Sequence, residues 1–467
     1  MTKDPSRFAV VGGGITGLSA AYALSQLAPD ASIAVFEAQD RLGGKLHTET
    51  FHGAQVEMGA DSFLTRDSAA RDLCRAIGLQ DELTAPAIFK GAVWDGLRRY
   101  DLPRGSVMGV PTSIRSLIGA DALTAGEKLS ASADALRWKR LRGHDVSVGS
   151  IVRSHFGDAV LERFVDPLLA GTRAGNVDEM SLAAALPQVD AAARASGSIM
   201  RGLRRASPSA GNDPLFLAPR RGMSHMIDAL AACLPAGSIR LGTDIDLITA
   251  DGFGDFVIRT RDGQELTADG VVIATPSPVA ARLLREVSAV AAGELSSIPH
   301  ASVAVVSLAL RAGTLPADGS SGFLVPSNAG LTLSAGTWWS LKWPHTTPEG
   351  VFVARCFAGR AERHPALDLD DEALVAAVAG ELTQLLGTSV KPIEGKVTRW
   401  DDGLPQYQVG HLDRLGRIER ALHQHSGIAL AGADYRGSGI PDCIRQGRAA
   451  AERVHKAVAA RGGRVET

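Results

Sequence analysis

Residues 8–11 (FAVV) run directly into Gly12-Gly13-Gly14, and a helical repeat through Leu18, Ala21, Tyr22, Leu24 and Leu27 follows. A second apolar run over 31–36 (ASIAVF) ends at Glu37, twenty positions after Gly17. Strand, glycine turn, helix, strand and a terminal acid in this order predict a dinucleotide-binding βαβ unit built on Gly12-x-Gly14-x-x-Gly17. Each glycine has its own reason. Gly12 permits the tight turn, Gly14 lets the backbone approach a pyrophosphate, and Gly17 lets helix and strand pack closely. The free N–H groups from Gly13 through Ile15 and Thr16 would face the phosphates, and Glu37 would accept hydrogen bonds from the adenosine ribose.

Composition removes several alternatives. The 49 Lys and Arg against 51 Asp and Glu give a formal charge of −2, so no nucleic-acid partner is expected. With 45% hydrophobic and 21% charged residues, the 467-residue chain reads as a globular protein of two to three domain-sized units. Cys74, Cys233, Cys356 and Cys443 are scattered without metal-ligand spacing, so neither a disulfide framework nor a metal site is predicted. The first strand begins after a short polar leader, which leaves no room for a signal peptide, and no stretch reaches roughly 18 uninterrupted apolar residues. A cytoplasmic protein with at most peripheral membrane contact is expected, as monomer or homodimer.

Residues 104–205 read as an inserted helical lobe, with amphipathic runs over 125–141, 148–156 and 159–169. The Ser-, Gly- and Arg-rich segment 195–213 reads as a mobile loop. Strands are predicted over 238–248, 255–260 and 266–275, then over 303–310, 322–326, 331–339 and 351–357, with a helix over 372–386 among the latter. A strand over 428–430 and a long helix over 441–459 close the chain.

Two further segments carry a family signature. Arg41-Leu-Gly-Gly-Lys45 follows Glu37, Glu57-Met-Gly-Ala-Asp-Ser-Phe63 follows that, and Gly432-Ala-Asp434-Tyr-Arg-Gly437-Ser-Gly439-Ile440-Pro441-Asp442-Cys443 opens the last helix. These residues resemble the FAD-dependent amine oxidase and protoporphyrinogen oxidase superfamily. The resemblance implies an α/β protein, α+β overall, with a Rossmann-like FAD-binding domain (1–65, 206–280, 396–467), a mixed-sheet substrate domain (66–103, 281–395) and the lobe. It further implies one non-covalent FAD per chain. Arg41, Gly43, Gly44 and Lys45 would lie on its diphosphate and adenosine side together with Ala38, and Gly59 would lie beside the flavin ring with Ala60, Asp61 and Ser62. Ile245, Ala274, Trp400, Gly432, Ala433, Asp434, Gly439, Ile440 and Pro441 would complete the site. The last helix would aim its positive end at the flavin pyrimidine edge, where reduction accumulates negative charge.

Phe164-Val-Asp-Pro-Leu-Leu-Ala-Gly-Thr-Arg-Ala-Gly175, Trp400-x-x-x-Leu-Pro-Gln-Tyr-x-Val-Gly-His411 and Arg104-Gly-Ser-Val-Met-Gly-Val-Pro-Thr112 look like the soluble bacterial porphyrinogen oxidases that act on coproporphyrinogen III. This implies three rounds of hydride transfer to FAD with reoxidation by dioxygen, giving coproporphyrin III and three hydrogen peroxide in haem biosynthesis. Protoporphyrinogen IX oxidation and, further off, a flavin amine oxidase are the alternatives. The cofactor does the redox chemistry, so no side chain is assigned as catalytic base. Lys90 and Arg173 are the candidate anchors for propionates, and Gly171, Leu324 and Thr337 the candidate ring contacts. Lys45 stands where amine oxidases usually carry arginine. A ferrochelatase that takes the product is the expected transient partner.

Overall fold

The computed structural model describes residues 5–206, 213–251, 255–313, 319–361 and 365–462. Five parallel strands form one sheet in the order Ile239–Arg240, Ser32–Phe36, Arg7–Val11, Gly270–Ile273 and Ile428–Leu430. A parallel sheet buried on both faces needs apolar residues at every position, which is why 8–11 is an unbroken run. Phe8 and Val10 join one core with the helices Ile15–Leu27 and Ile440–Gly462, while Ala9 and Val11 enter a second core on the opposite face. The 23-residue last helix lies along the first helix. A Cβ on Gly447 would come within 2.3 Å of the Thr16 carbonyl oxygen, so only glycine admits this approach.

A seven-stranded sheet runs Glu394–Pro405, His300–Arg311, Val351–Ala358, Leu333–Trp338, Gly322–Leu324, Gly91–Trp94 and Arg99–Asp101, antiparallel except where Gly322–Leu324 meets Gly91–Trp94. Cross-strand partners share a face. Cys356, Ala354, Trp338 and Phe323 therefore point with Leu374, Val378 and Leu382 of the helix Asp371–Leu386 into one core. Arg355, Thr337, Phe357, Ala335 and Leu324 point the other way.

Residues 114–206 are mainly helical and hold their own core, centred on Leu117, Val152, Phe164, Leu169, Leu182 and Val189. The expected mobile loop over 195–213 needs correction. Ile199–Ala206 is a helix with Ile199, Met200 and Leu203 buried. Its opening N–H groups are capped from a distance, since Ile199 and Met200 donate to the Asp134 carboxylate at 3.2 and 3.0 Å. A cap 65 residues upstream leaves no local signature. The remainder of that expected loop, 207–212, lies outside the described residues.

No helix among the described residues is long and apolar enough to cross a membrane.

Candidate functional site

The cradle is assembled from segments distant in sequence. Gly12 has φ +109°, and a Cβ there would meet the Ala274 carbonyl oxygen at 2.8 Å. At Gly17 a Cβ would lie 1.9 Å from the Gly12 carbonyl oxygen, a distance no side chain survives. Gly14 caps the first helix without a side chain, so the N–H groups of Ile15, Thr16 and Gly17 are left for an anion. Gly14 also bridges to Gly43, and Gly43 N–H donates to Gly13 O at 2.9 Å. Arg41 closes this loop by donating to the carbonyls of Leu42 and Gly44 at 3.3 and 3.0 Å.

Glu37 is held rather than free. Its carboxylate accepts from Gly13 N–H at 2.7 Å and Gln39 N–H at 2.9 Å, which fixes its direction while each oxygen keeps a further lone pair. Ala38 is exposed beside it, whereas Ile245 is buried in the core with Phe36, and its carbonyl accepts from Arg282 at 2.9 Å.

The carboxyl-terminal segment reaches the same place. Asp434 is buried. Its Oδ2 accepts from Ser277 N–H at 2.8 Å and from His300 Nε2 at 2.6 Å. His300 Nδ1 faces the Ile298 carbonyl at 3.0 Å. Burial works against the Asp434 charge, but the His300 bond, Ser277 N–H and the nearby Lys45 together hold its carboxyl below the usual range. Burial lowers the Lys45 pKa against the fields of Asp434 and Cys443, and no hydrogen bond or ion pair engages its ammonium among the described residues. Ala433 O accepts from the Tyr407 hydroxyl, Gly432 turns at φ +143°, and Gly439 precedes Ile440 and Pro441 at the start of the last helix.

Beneath the cradle, a Cβ on Gly59 would lie 1.9 Å from the Lys45 carbonyl oxygen. Trp400 Nε1 donates to the Met58 carbonyl at 2.8 Å. Ala60 is exposed and Ser62 donates to Asp61 at 2.8 Å. The Asp61 carboxylate itself is engaged by Lys342 Nζ at 2.7 Å, with Arg355 Nη1 at 3.6 Å. Burial opposes its charge, yet the two cations hold its pKa down to about 2. Arg355 and Lys342 were not among the residues read from the sequence. They lie in an ordinary strand and a short helix with no motif around them.

The helix Asp166–Arg173 packs on the sheet face that carries Leu324 and Ala335. Leu324, Thr337 and Phe357 stay half-buried in strands whose neighbours are sealed. Gly171 is packed so closely that a Cβ would meet Leu324 Cδ2 at 2.7 Å, and Arg173, half-buried at the end of that helix, lies 5.9 Å from the centre of the Tyr407 ring. Burial lowers the Arg173 pKa, and no carboxylate is bonded to it among the described residues. Lys90 is different. It is exposed at the sheet rim and its Nζ is 2.8 Å from Asp101. His411 is buried, donates from Nε2 to Tyr435 O at 2.9 Å and stacks on Tyr407. Trp338, Trp339 and Trp343 are buried packing residues.

Two glycine-bearing segments some 400 residues apart thus lie together, with Lys45 near Asp434 and Gly447 against Thr16, in the fold of a flavin-dependent oxidoreductase. The chain belongs to the flavin containing amine oxidoreductase family, whose model matches residues 15–455. Within it, the chain is 30% identical to the coproporphyrinogen III oxidase of Bacillus subtilis (strain 168), over 96% of this chain and 98% of that one. It is also 30% identical to the chloroplastic protoporphyrinogen oxidase 1 of Arabidopsis thaliana, over 93% and 85% of the two chains. A crystal structure of a candidate protoporphyrinogen oxidase from Exiguobacterium sp. 255-15 superimposes with TM-score 0.86 at 33% identity, covering 97% of this chain and 99% of that one.

Proposed function

We propose that this protein oxidises coproporphyrinogen III to coproporphyrin III, a six-electron reaction of haem biosynthesis with dioxygen as acceptor, on one non-covalently held FAD. The observation that carries the reading is the sorting of charge around the site. The acids are spoken for: Glu37 by two backbone N–H groups, Asp434 by His300 and Ser277, Asp61 by Lys342 and Arg355. Lys45 and Arg173 carry no such partner among the described residues. An anionic nucleotide and a propionate-bearing substrate suit this arrangement; none of these three acids offers an open carboxylate to an amine.

The residues fit FAD on their own terms. At Gly12 and Gly17 no Cβ could be accommodated, the first helix begins without a side-chain cap, and the Lys45 ammonium has no hydrogen-bond partner among the described residues. Bound there, FAD supplies the two-electron redox chemistry. The chain does the rest: Gly171, Leu324 and Thr337 shape an apolar wall, Arg173 anchors a rim carboxylate, and Lys90 takes a second one in exchange for Asp101. The proposed division of labour keeps 1–65, 206–280 and 396–467 for the cofactor, 66–103 and 281–395 for the substrate, and 104–205 as the lobe that carries Gly171 and Arg173. Location in the cytoplasm and passage of the product to a ferrochelatase complete the proposal.

Anaerobic titration of the FAD-loaded protein tests it. Coproporphyrinogen III should bleach the flavin band and a polyamine should leave it unchanged. The likeness to the Arabidopsis enzyme favours protoporphyrinogen IX as the second reading, and faster bleaching with that substrate would select it.

A further inference from the structure

Arg355 is the largest fully buried side chain in the described structure, 1% exposed, and the reaction as proposed gives it no task. A buried guanidinium is costly unless paired. Its pairing here is incomplete. Nη2 donates to the Gly59 carbonyl at 2.6 Å, Nη1 lies 3.6 Å from Asp61, and Nε has no partner. The rings of Trp339 and Phe357 flank it at 5.3 and 5.0 Å. Asp61 is bonded more closely by Lys342, at 2.7 Å, so two cations share one ionised carboxylate. Glu57 is the other acid near Arg355. Burial pushes its carboxyl up to about 7, so it supplies only a fractional counter-charge at neutral pH.

The surplus charge sits directly behind the cradle. Arg355 grips the carbonyl of Gly59, Gly59 abuts the Lys45 carbonyl, and Lys45 stands beside Asp434 and the start of the last helix.

We propose that Arg355, with Lys342, is a positioning and electrostatic residue for the cofactor: the pair fixes the Gly59–Asp61 turn from behind and places a net positive charge there that favours the reduced flavin. The proposal rests on the reading that Gly59 lies beside the flavin ring. A positive charge held in a poorly solvated site stabilises the negative charge of two-electron-reduced flavin and so raises its potential.

The test is the midpoint potential of bound flavin, measured by dye-referenced reduction in the wild type, Arg355→Met, Arg355→Lys and Lys342→Met holoenzymes. Arg355→Met and Lys342→Met should each weaken the two-electron reduction equilibrium at least tenfold, about 30 mV more negative, while Arg355→Lys should keep most of the wild-type value. Lys342 is less deeply buried than Arg355, so its variant decides the matter if Arg355→Met does not fold. Wild-type potential in Lys342→Met overturns the proposal, as does an equal drop in Arg355→Lys and Arg355→Met. A wild-type chain that takes up flavin and is not reduced by a porphyrinogen refutes the proposed function instead and leaves the potentials to be read.

Discussion

Glu57 offers a stability test whose size follows from its surroundings. The carboxyl is 2% exposed, with Oε1 accepting from Met223 N–H at 2.7 Å and Thr48 Oγ1 at 2.9 Å, while Oε2 has no partner. Burial raises its pKa from 4.5 to about 7, against those two bonds and the field of Arg355. The folded chain therefore holds a proton that the unfolded chain releases. Stability is undiminished below pH 4.5, declines as the pH rises towards 7, and is flat above. At about 1.36 kcal/mol per tenfold change, the penalty is about 1 kcal/mol at pH 5 and about 3 kcal/mol at pH 8. Glu57→Gln keeps Oε1 as acceptor and removes the ionisation. Relative to wild type it should gain about 2 kcal/mol between pH 5 and pH 8. Unfolding entropy of about 2.1 cal/mol/K per residue gives about 1 kcal/mol/K for a chain this long, so the midpoint difference should widen by about 2 °C. Paired thermal scans at equal rate and equal FAD excess measure it. A midpoint difference that does not change with pH would refute the burial argument.

Gly17→Ala should yield protein that retains no flavin after purification, because the added Cβ would lie 1.9 Å from the Gly12 carbonyl oxygen; a yellow variant with normal absorbance would contradict the packing. Arg173→Ala should raise the KM for coproporphyrinogen III about 10- to 100-fold, the worth of a charge-assisted bond, whereas Lys90→Ala, already paired with Asp101, should change it only about two- to threefold; steady-state kinetics with the order reversed would exchange their roles. Asp434→Asn strands the His300 ring in a buried site, and about 3–5 kcal/mol of lost stability should appear as a drop of about 3–5 °C in the unfolding midpoint; an unchanged midpoint would show that the pair is solvated.

The βαβ unit was legible because its constraints are local. Close approach forces glycine at 12 and 17, and double-sided burial forces the apolar run at 8–11, so both leave marks in a few consecutive residues. Four strands of the large sheet, at 303–310, 322–326, 331–339 and 351–357, were visible for the same reason, whereas Gly91–Trp94, Arg99–Asp101 and Glu394–Pro405 were not. What escaped was set at long range. The helix Ile199–Ala206 depends on Asp134 for its cap, and Arg355 is buried because Gly59, Asp61 and the Trp339 ring from other segments close over it beside Phe357 of its own strand. An isolated arginine between Ala354 and Cys356 in an apolar strand was the available signal: a charge at a position whose neighbours are sealed must have a partner across the fold. Lys90 and Arg173 looked alike in the sequence, and only the fold separates a rim cation tied to Asp101 from a half-buried one tied to no acid.

Charge sorting also bears on how substrate reaches the proposed site. Carboxylates bonded to neighbours contribute little outward field, whereas cations such as Arg173, without a bonded acid among the described residues, leave a positive potential at the proposed substrate site. A substrate with four propionates gains more from this field than one with two, before any contact with the macrocycle is made. Screening by salt should therefore lower kcat/KM for coproporphyrinogen III more steeply than for protoporphyrinogen IX as ionic strength rises from about 0.01 to 0.15 M, where the screening length shrinks from about 30 to 8 Å. Arg173→Ala should flatten the steeper dependence towards the shallower one. Parallel salt dependences in the wild type would mean that these cations act only on contact, and the preference for the tetracarboxylate would then have to come from the fit of the ring against Leu324 and Thr337.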